Sequence, residues 1–130
     1  MRPAGARHTR AVRIAFAHDA VLDMARDADL AAPGGAVTLA LCGAFDHAPP
    51  CPLAPHHTST DRRADVVAVR VLFAAEAARE AEVRAHIHQA LAAGFCAGPD
   101  GTRTTWTLRG SAPGAVTETE RPHARRLVES

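Results

Sequence analysis

Lysine, asparagine and tyrosine are missing from this 130-residue sequence, and aromatic side chains make up only 4% of it. With all fifteen basic residues being arginine, the missing lysine and asparagine read as the coding bias of a GC-rich genome rather than as a functional signature. The scarcity of aromatics bears on function. Proteins that read RNA on a sheet stack bases on exposed aromatic side chains. The strand faces here offer Arg13, Ala15, Ala17, Ala68 and Arg70 instead. The same scarcity sets the style of the core, which must be built from small residues in closely spaced layers.

No apolar run approaches the roughly 20 residues needed to span a bilayer. The segment from Met1 to Arg10 lacks the apolar stretch of a secretory signal. The expected location is therefore cytoplasmic, where thiols stay reduced. Three cysteines, an odd number, argue against a fold held by disulfides. A net charge of +1 creates no field that would draw in nucleic acid or an anionic membrane, so neither is expected as a partner. Several catalytic signatures are absent as well: His-Glu-x-x-His, a phosphate-binding Walker loop, a glycine-rich dinucleotide turn and Cys-x-x-Cys-His. Of the zinc deaminase pattern only Pro50-Cys51 is present.

What is there reads as one domain with tails. Residues 1–9 are expected as a flexible arm, 10–110 as a single α+β domain, and 111–130 as a polar tail or edge strand. Val12, Ile14 and Phe16 alternate with smaller residues and predict a strand ending near His18. Asp19 then reads as the cap of a helix that Pro33-Gly34-Gly35 stops. A second strand is expected over 36–45, a Pro/His/Cys-rich loop over 46–63, and a third strand over 65–73. A helix over 75–93 stops at Gly94; a turn at 98–101 and a strand over 104–109 follow, and Trp106 anchors the core. The order β-α-β-β-α-β predicts a ferredoxin-like sandwich, an antiparallel sheet with two helices on one face. The other face, with Ala15, Ala17, Ala40, Val66, Ala68 and Leu72, is small and apolar enough to pack against a second copy as a homodimer.

The richest stretch is Cys42-x4-His47-x3-Cys51-x4-His56-His57. Thiolate and imidazole are the donors zinc prefers, and thiolate also suits copper(I). Prolines between the donors reduce the entropy lost on ordering the loop around an ion. The expected ligands are Cys42, His47, Cys51 and either His56 or His57, with Zn2+ first and copper second. In a ferredoxin-like topology His18 and Cys96 fall at the same end and are possible additional ligands. Competing expectations are a buried Cys42, solvated loop histidines, and a Cys42–Cys51 redox pair. His86 and His88 sit about 200° apart around their helix and cannot share an ion. Glu80 and Arg84 read as a surface ion pair of little weight.

The sequence thus predicts a small cytosolic metal-binding protein with a structural or metal-handling role. The alternatives are a dimeric α+β sandwich enzyme of the oxygenase or isomerase kind, with a pocket lined by His18, His47 and Trp106, and a non-catalytic interaction module.

Overall fold

Two eleven-residue strands form the centre of the fold. β1 (Arg13–Asp23) and β3 (Val66–Glu76) pair antiparallel along their whole length, from Arg13 opposite Glu76 to Asp23 opposite Val66. The computed structural model describes residues 12–43 and 54–130. β3 is almost continuously apolar because both its faces are covered. Val67, Val69, Val71 and Phe73 enter the main core, while Leu72 and Ala74 enter a smaller one on the opposite face.

The remaining elements add to this pair in chain order. After β1 comes α1 (Ala31–Cys42), then β2 (His56–Arg63), which pairs with β3 through a two-residue turn. After β3, a single 3-10 turn leads into α2 (Glu80–Ala93). A short pair, β4 (Phe95–Ala97) and β5 (Arg103–Thr105), precedes β6 (Thr107–Gly114), which pairs with the free side of β1. α3 (Arg121–Val128) closes the chain. The main sheet has four antiparallel strands in the order β2-β3-β1-β6. α1 and α2 share one core with it, and α3 packs on the other face.

The fold is α+β as expected, but several elements lie elsewhere than the local pattern suggests. The strand does not give way to a helix at Asp19. It continues to Asp23, with Ala20 and Leu22 keeping the inward parity of Phe16 and His18. Asp19 pairs with Arg70 across the sheet instead of capping a helix. The helix starts twelve residues later, where Asp29 Oδ1 accepts the amide of Ala31. Pro33 and the glycines after it belong to this helix rather than ending it. A proline in the first turn forfeits no intrahelical hydrogen bond, and Gly34 allows close packing against Thr58 of β2. Val37 and Leu41 are buried one helical turn apart, whereas Leu39 between them is partly exposed, so a strand over 36–45 is corrected to α1.

The loop expected over 46–63 gives up its second half to β2, whose sequence His-His-Thr-Ser-Thr-Asp-Arg-Arg contains no aliphatic or aromatic-hydrocarbon residue. Its first part, to residue 53, lies outside the described residues. The strand expected over 104–109 runs on as β6 to Gly114, into the segment expected as a polar tail or edge strand. Pro113 is tolerated there because β6 is an edge strand and needs no donor on its outer side. The open face expected to support a dimer is partly occupied, since Ala17, Leu72 and Ala74 pack against Leu127 of α3. What is left is a cleft of about 320 Å³ beside Val21, Ser59, Ala68 and Arg70.

α2 ends as the sequence implies, with Gly94 in the left-handed region at φ 79°. The Trp106 indole N–H donates to the Leu91 carbonyl at 2.8 Å, and the Trp106 amide donates to the Gly94 carbonyl at 2.9 Å. A β-carbon on Gly94 would lie 2.8 Å from the Trp106 carbonyl oxygen. Gly94→Ala should therefore cost about 2–3 kcal/mol, combining left-handed strain with a backbone clash. Urea denaturation measures this, and a loss below about 0.5 kcal/mol would contradict the packing described.

Candidate functional site

α1 and β2 diverge from a corner where the last residue of the helix meets the first of the strand. Cys42 is buried there, and its Sγ lies 3.8 Å from Nδ1 of His56. The same Nδ1 lies 3.1 Å from the Ala54 carbonyl, and Nε2 lies 3.0 Å from Oγ1 of Thr38. A carbonyl can only accept, so in the neutral ring Nδ1 carries the proton and Nε2 accepts from the threonine hydroxyl. Thr38 precedes Cys42 by one helical turn, which puts both on the side of α1 that meets β2.

From this corner a groove of about 490 Å³ runs between α1 and β2, lined by Leu30, Gly34, Thr38, His56, Thr58 and Thr60 among others. His56, Thr58 and Thr60 come from alternate positions of β2 and so share its inner face. Oγ1 of Thr58 is buried there with no hydrogen-bond partner among the described residues. Leaving such a hydroxyl unpaired costs about 1–3 kcal/mol.

The expected ligands do not all converge here. Cys42 and His56 meet; His47 and Cys51 lie outside the described residues. Cys42 is disulfide-bonded and Cys96 is a free, buried thiol, which corrects the expectation that all three cysteines are reduced. His57 follows His56 on a strand and so faces the opposite side of the sheet. Its ring lies 4.5 Å, centroid to centroid, from that of His123 on α3, with the planes 56° apart. Burial and the neighbouring His123 both push the His57 imidazole below its ordinary pKa. Cys96 on β4 lies at the other end of α1, in a separate cavity of about 500 Å³ with Asp29, Ala32 and Pro99. Ala32, which lines the cavity of Cys96, is ten helical steps from Cys42, a rise of about 15 Å. Burial, then the charge of Asp29, raises the Cys96 pKa, which leaves it an unreactive thiol at neutral pH.

His18 is not at the end of a strand but in the middle of β1, facing α2. Nη1 of Arg84 donates to His18 Nδ1 at 3.0 Å, and Nε2 lies 2.6 Å from Oγ of Ser111. With Nδ1 taken as the acceptor, Nε2 bears the proton and donates to the serine. This is the wrong polarity for a base that activates a hydroxyl. Burial, followed by the Arg84 charge, pushes the His18 pKa down and keeps the ring neutral. Neither of these two cavities is lined by His18 or Trp106, two of the three residues that an enzyme pocket was expected to use; the third, His47, lies outside the described residues.

Arg84 itself was misread from sequence. Its Nε does pair with Glu80 at 2.8 Å, but the guanidinium turns inward. It also donates to the Ala17 carbonyl at 2.7 Å and lies over the rings of Phe16 and Phe73. His86 donates to the backbone carbonyl of Glu82 rather than to its carboxylate.

Among the described residues, no group of three or more His, Cys, Asp or Glu side chains is arranged to hold a metal ion. No helix among them is long and apolar enough to cross a membrane. Comparison with protein-family models, with curated proteins and with solved structures gives no match for the chain.

Proposed function

We propose that the chain is a small metal-binding protein whose site, at the junction of α1 and β2, takes Zn2+, or copper second, when Cys42 is reduced. The observation that carries this reading is the 3.8 Å approach of Cys42 Sγ to His56 Nδ1. A tetrahedral zinc with bonds of about 2.3 Å to sulfur and 2.0 Å to nitrogen holds those two atoms about 3.5 Å apart. Thr38 supports it as well. Binding through Nδ1 would break its hydrogen bond to the Ala54 carbonyl and move the ring proton to Nε2, where Thr38 Oγ1 is within hydrogen-bond distance to turn from donor to acceptor. His47 and Cys51, within the stretch between Cys42 and Ala54, supply the two further donors of a Cys2His2 set.

The disulfide makes the site conditional. Disulfide sulfur is not a thiolate donor, so the metal-binding state requires two-electron reduction, either by a dithiol, which gives up two protons and becomes a disulfide, or by a phosphine, which becomes the phosphine oxide while water supplies the oxygen and the two protons. Zinc then displaces the thiol protons. A ferredoxin-like core belongs to this reading, with β6 as its fourth strand and β4, β5 and α3 as additions. The placement of β1 between β3 and β6 supports it.

The test is metal uptake by the untagged full chain, metal-stripped, with and without a phosphine reductant. The reduced chain should take up one thiolate-ligated equivalent, visible with Co2+ as a sulfur-to-cobalt charge-transfer band. The oxidised chain and Cys42→Ala should give no such band, and Thr38→Val should bind about tenfold more weakly. A reduced chain that takes up no zinc or cobalt at micromolar concentration, or a Cys42→Ala variant that still shows the band, would overturn the reading.

A further inference from the structure

On the face of the sheet away from Cys42, His57 of edge strand β2 and His123 of α3 bring their rings to 4.5 Å between centroids. We propose that these two imidazoles form a separate site for a divalent transition-metal ion of the copper(II) or nickel(II) type, with solvent in the remaining positions. Such an ion would clasp the C-terminal helix to the edge of the sheet.

Three observations carry this. The first is spacing. An ion bonded to one nitrogen of each ring at about 2.0 Å lies roughly 3.2 Å from each centroid, so the observed separation subtends about 90° at the ion. That is the angle between neighbouring ligands in tetragonal copper(II) and nickel(II) complexes. The second is availability. Neither ring has a hydrogen-bond partner among the described residues, whereas His18, His56 and His86 are all engaged. The third is placement. His123 sits in the first turn of α3, and His57 belongs to β2, with which α3 makes no backbone pairing. A metal bridge would therefore join directly two elements that both rest on β3, which pairs with β2 along one edge and packs Leu72 and Ala74 against Leu127 of α3. Arginines 121, 125 and 126 on the same short helix limit the affinity to the micromolar range by their positive charge.

This site is independent of the thiol site. His56 and His57 point to opposite faces of one strand, so a single ion cannot use both. Calorimetric titration of the untagged chain with nickel(II) and copper(II) tests the proposal, alongside His57→Ala, His123→Ala, their double variant and Cys42→Ala. One equivalent should bind the unsubstituted chain and Cys42→Ala alike. Each single histidine variant should bind at least tenfold more weakly, and the double variant no worse than either single one. Amide exchange in Arg121–Val128 should slow on metal addition, and circular dichroism with His57→Gln and His123→Gln checks that the loss is not one of folding. Undiminished binding in either histidine variant, loss in only one of them, or binding without slowed exchange in α3 would overturn the clasp. Loss of binding in Cys42→Ala would instead assign the ion to the thiol site.

Discussion

Replacing Arg70 with alanine should detach α3 from the sheet while leaving β1 and β3 intact. Arg70 sits on β3, and its guanidinium meets the Glu120 carboxylate in a fork, Nε to Oε2 at 2.6 Å and Nη2 to Oε1 at 2.8 Å. Its third nitrogen reaches Asp19 Oδ1 at 2.8 Å, and Nη2 also donates to the Ala115 carbonyl. Glu120 is simultaneously half of a reciprocal pair of capping-box type that closes the turn from Thr117 to Glu120, just before α3. Its Oε1 accepts the Thr117 amide at 2.9 Å, and Thr117 Oγ1 accepts the Glu120 amide at 3.3 Å. Eight residues are too few to hold a helix in water without tertiary support, so an undocked α3 is an unfolded one. Partly buried, charge-assisted pairs of this kind contribute about 3 kcal/mol to docking, which corresponds to roughly a hundredfold change in equilibrium. Hydrogen exchange should show Arg121–Val128 losing protection by that factor. Unchanged protection would mean that Leu127 and its apolar neighbours hold the helix alone.

The same contact gives a pH dependence with a definite sign. The Arg70 guanidinium, then the Thr117 hydrogen bonds, hold the Glu120 carboxyl down to about 2 from an ordinary 4.5. A group with a depressed pKa contributes stability that is complete above its unfolded value and is lost as the pH falls through the folded one. A shift of that size is worth at most about 3 kcal/mol. Glu120→Gln keeps an acceptor for the capping box but removes the charge. Its deficit relative to the unsubstituted chain should therefore be full at pH 6, shrink below pH 4.5, and nearly vanish at pH 2. A deficit that stays constant over that range would refute the ion-pair account.

The largest loss of global stability is expected from Phe73→Ala. Phe73 is fully buried, lies opposite Phe16 in register, and stacks on it with centroids 5.4 Å apart. The Arg84 guanidinium carbon is 5.3 Å from its ring centre. Truncating a buried phenylalanine costs about 3–5 kcal/mol through lost transfer energy and the cavity left behind. Loss of the cation–π contact adds about 1 kcal/mol. Against a total of roughly 5–15 kcal/mol, this leaves the fold marginal. The urea midpoint should fall by about 2 M for a denaturant slope near 2 kcal/mol/M. Phe73 also pairs with His56 in the β2–β3 ladder, so the metal corner should loosen with the core. A fall equivalent to less than about 1 kcal/mol would show that Arg84 and Phe16 close over the gap.

Parts of the fold were legible where one local pattern had one meaning. β3 is a run of valines too short for anything but a covered strand. α2 carries Val83, Ile87 and Leu91 at helical spacing and a glycine where it stops, and Trp106 is buried as a core anchor. α1 was illegible because Val37, Leu39 and Leu41 satisfy a period of two as well as the helical one, and because a proline in a first turn resembles a stop. β2 was illegible for a different reason. Its inner face is His56, Thr58 and Thr60 against the glycine and threonine side of α1, so no apolar alternation marks it.

The candidate site divides along the same line. That cysteine and histidine concentrate between positions 42 and 57 is written in the chain, as is the opposition of His56 and His57 once they lie on a strand. The partners of those residues are not written there. Cys96 is separated from Cys42 by the length of α1, His18 is held by Arg84 and Ser111, and His57 meets His123 from 66 positions away. The sequence by itself determined which segments must bury a face, because burial leaves a periodic trace in residue type. Tertiary structure alone decided which polar side chains meet, because an edge strand is held by backbone hydrogen bonds and the Arg70 fork grips the single carboxylate of Glu120 at the start of the terminal helix. Neither leaves a periodic trace in the residues that make it.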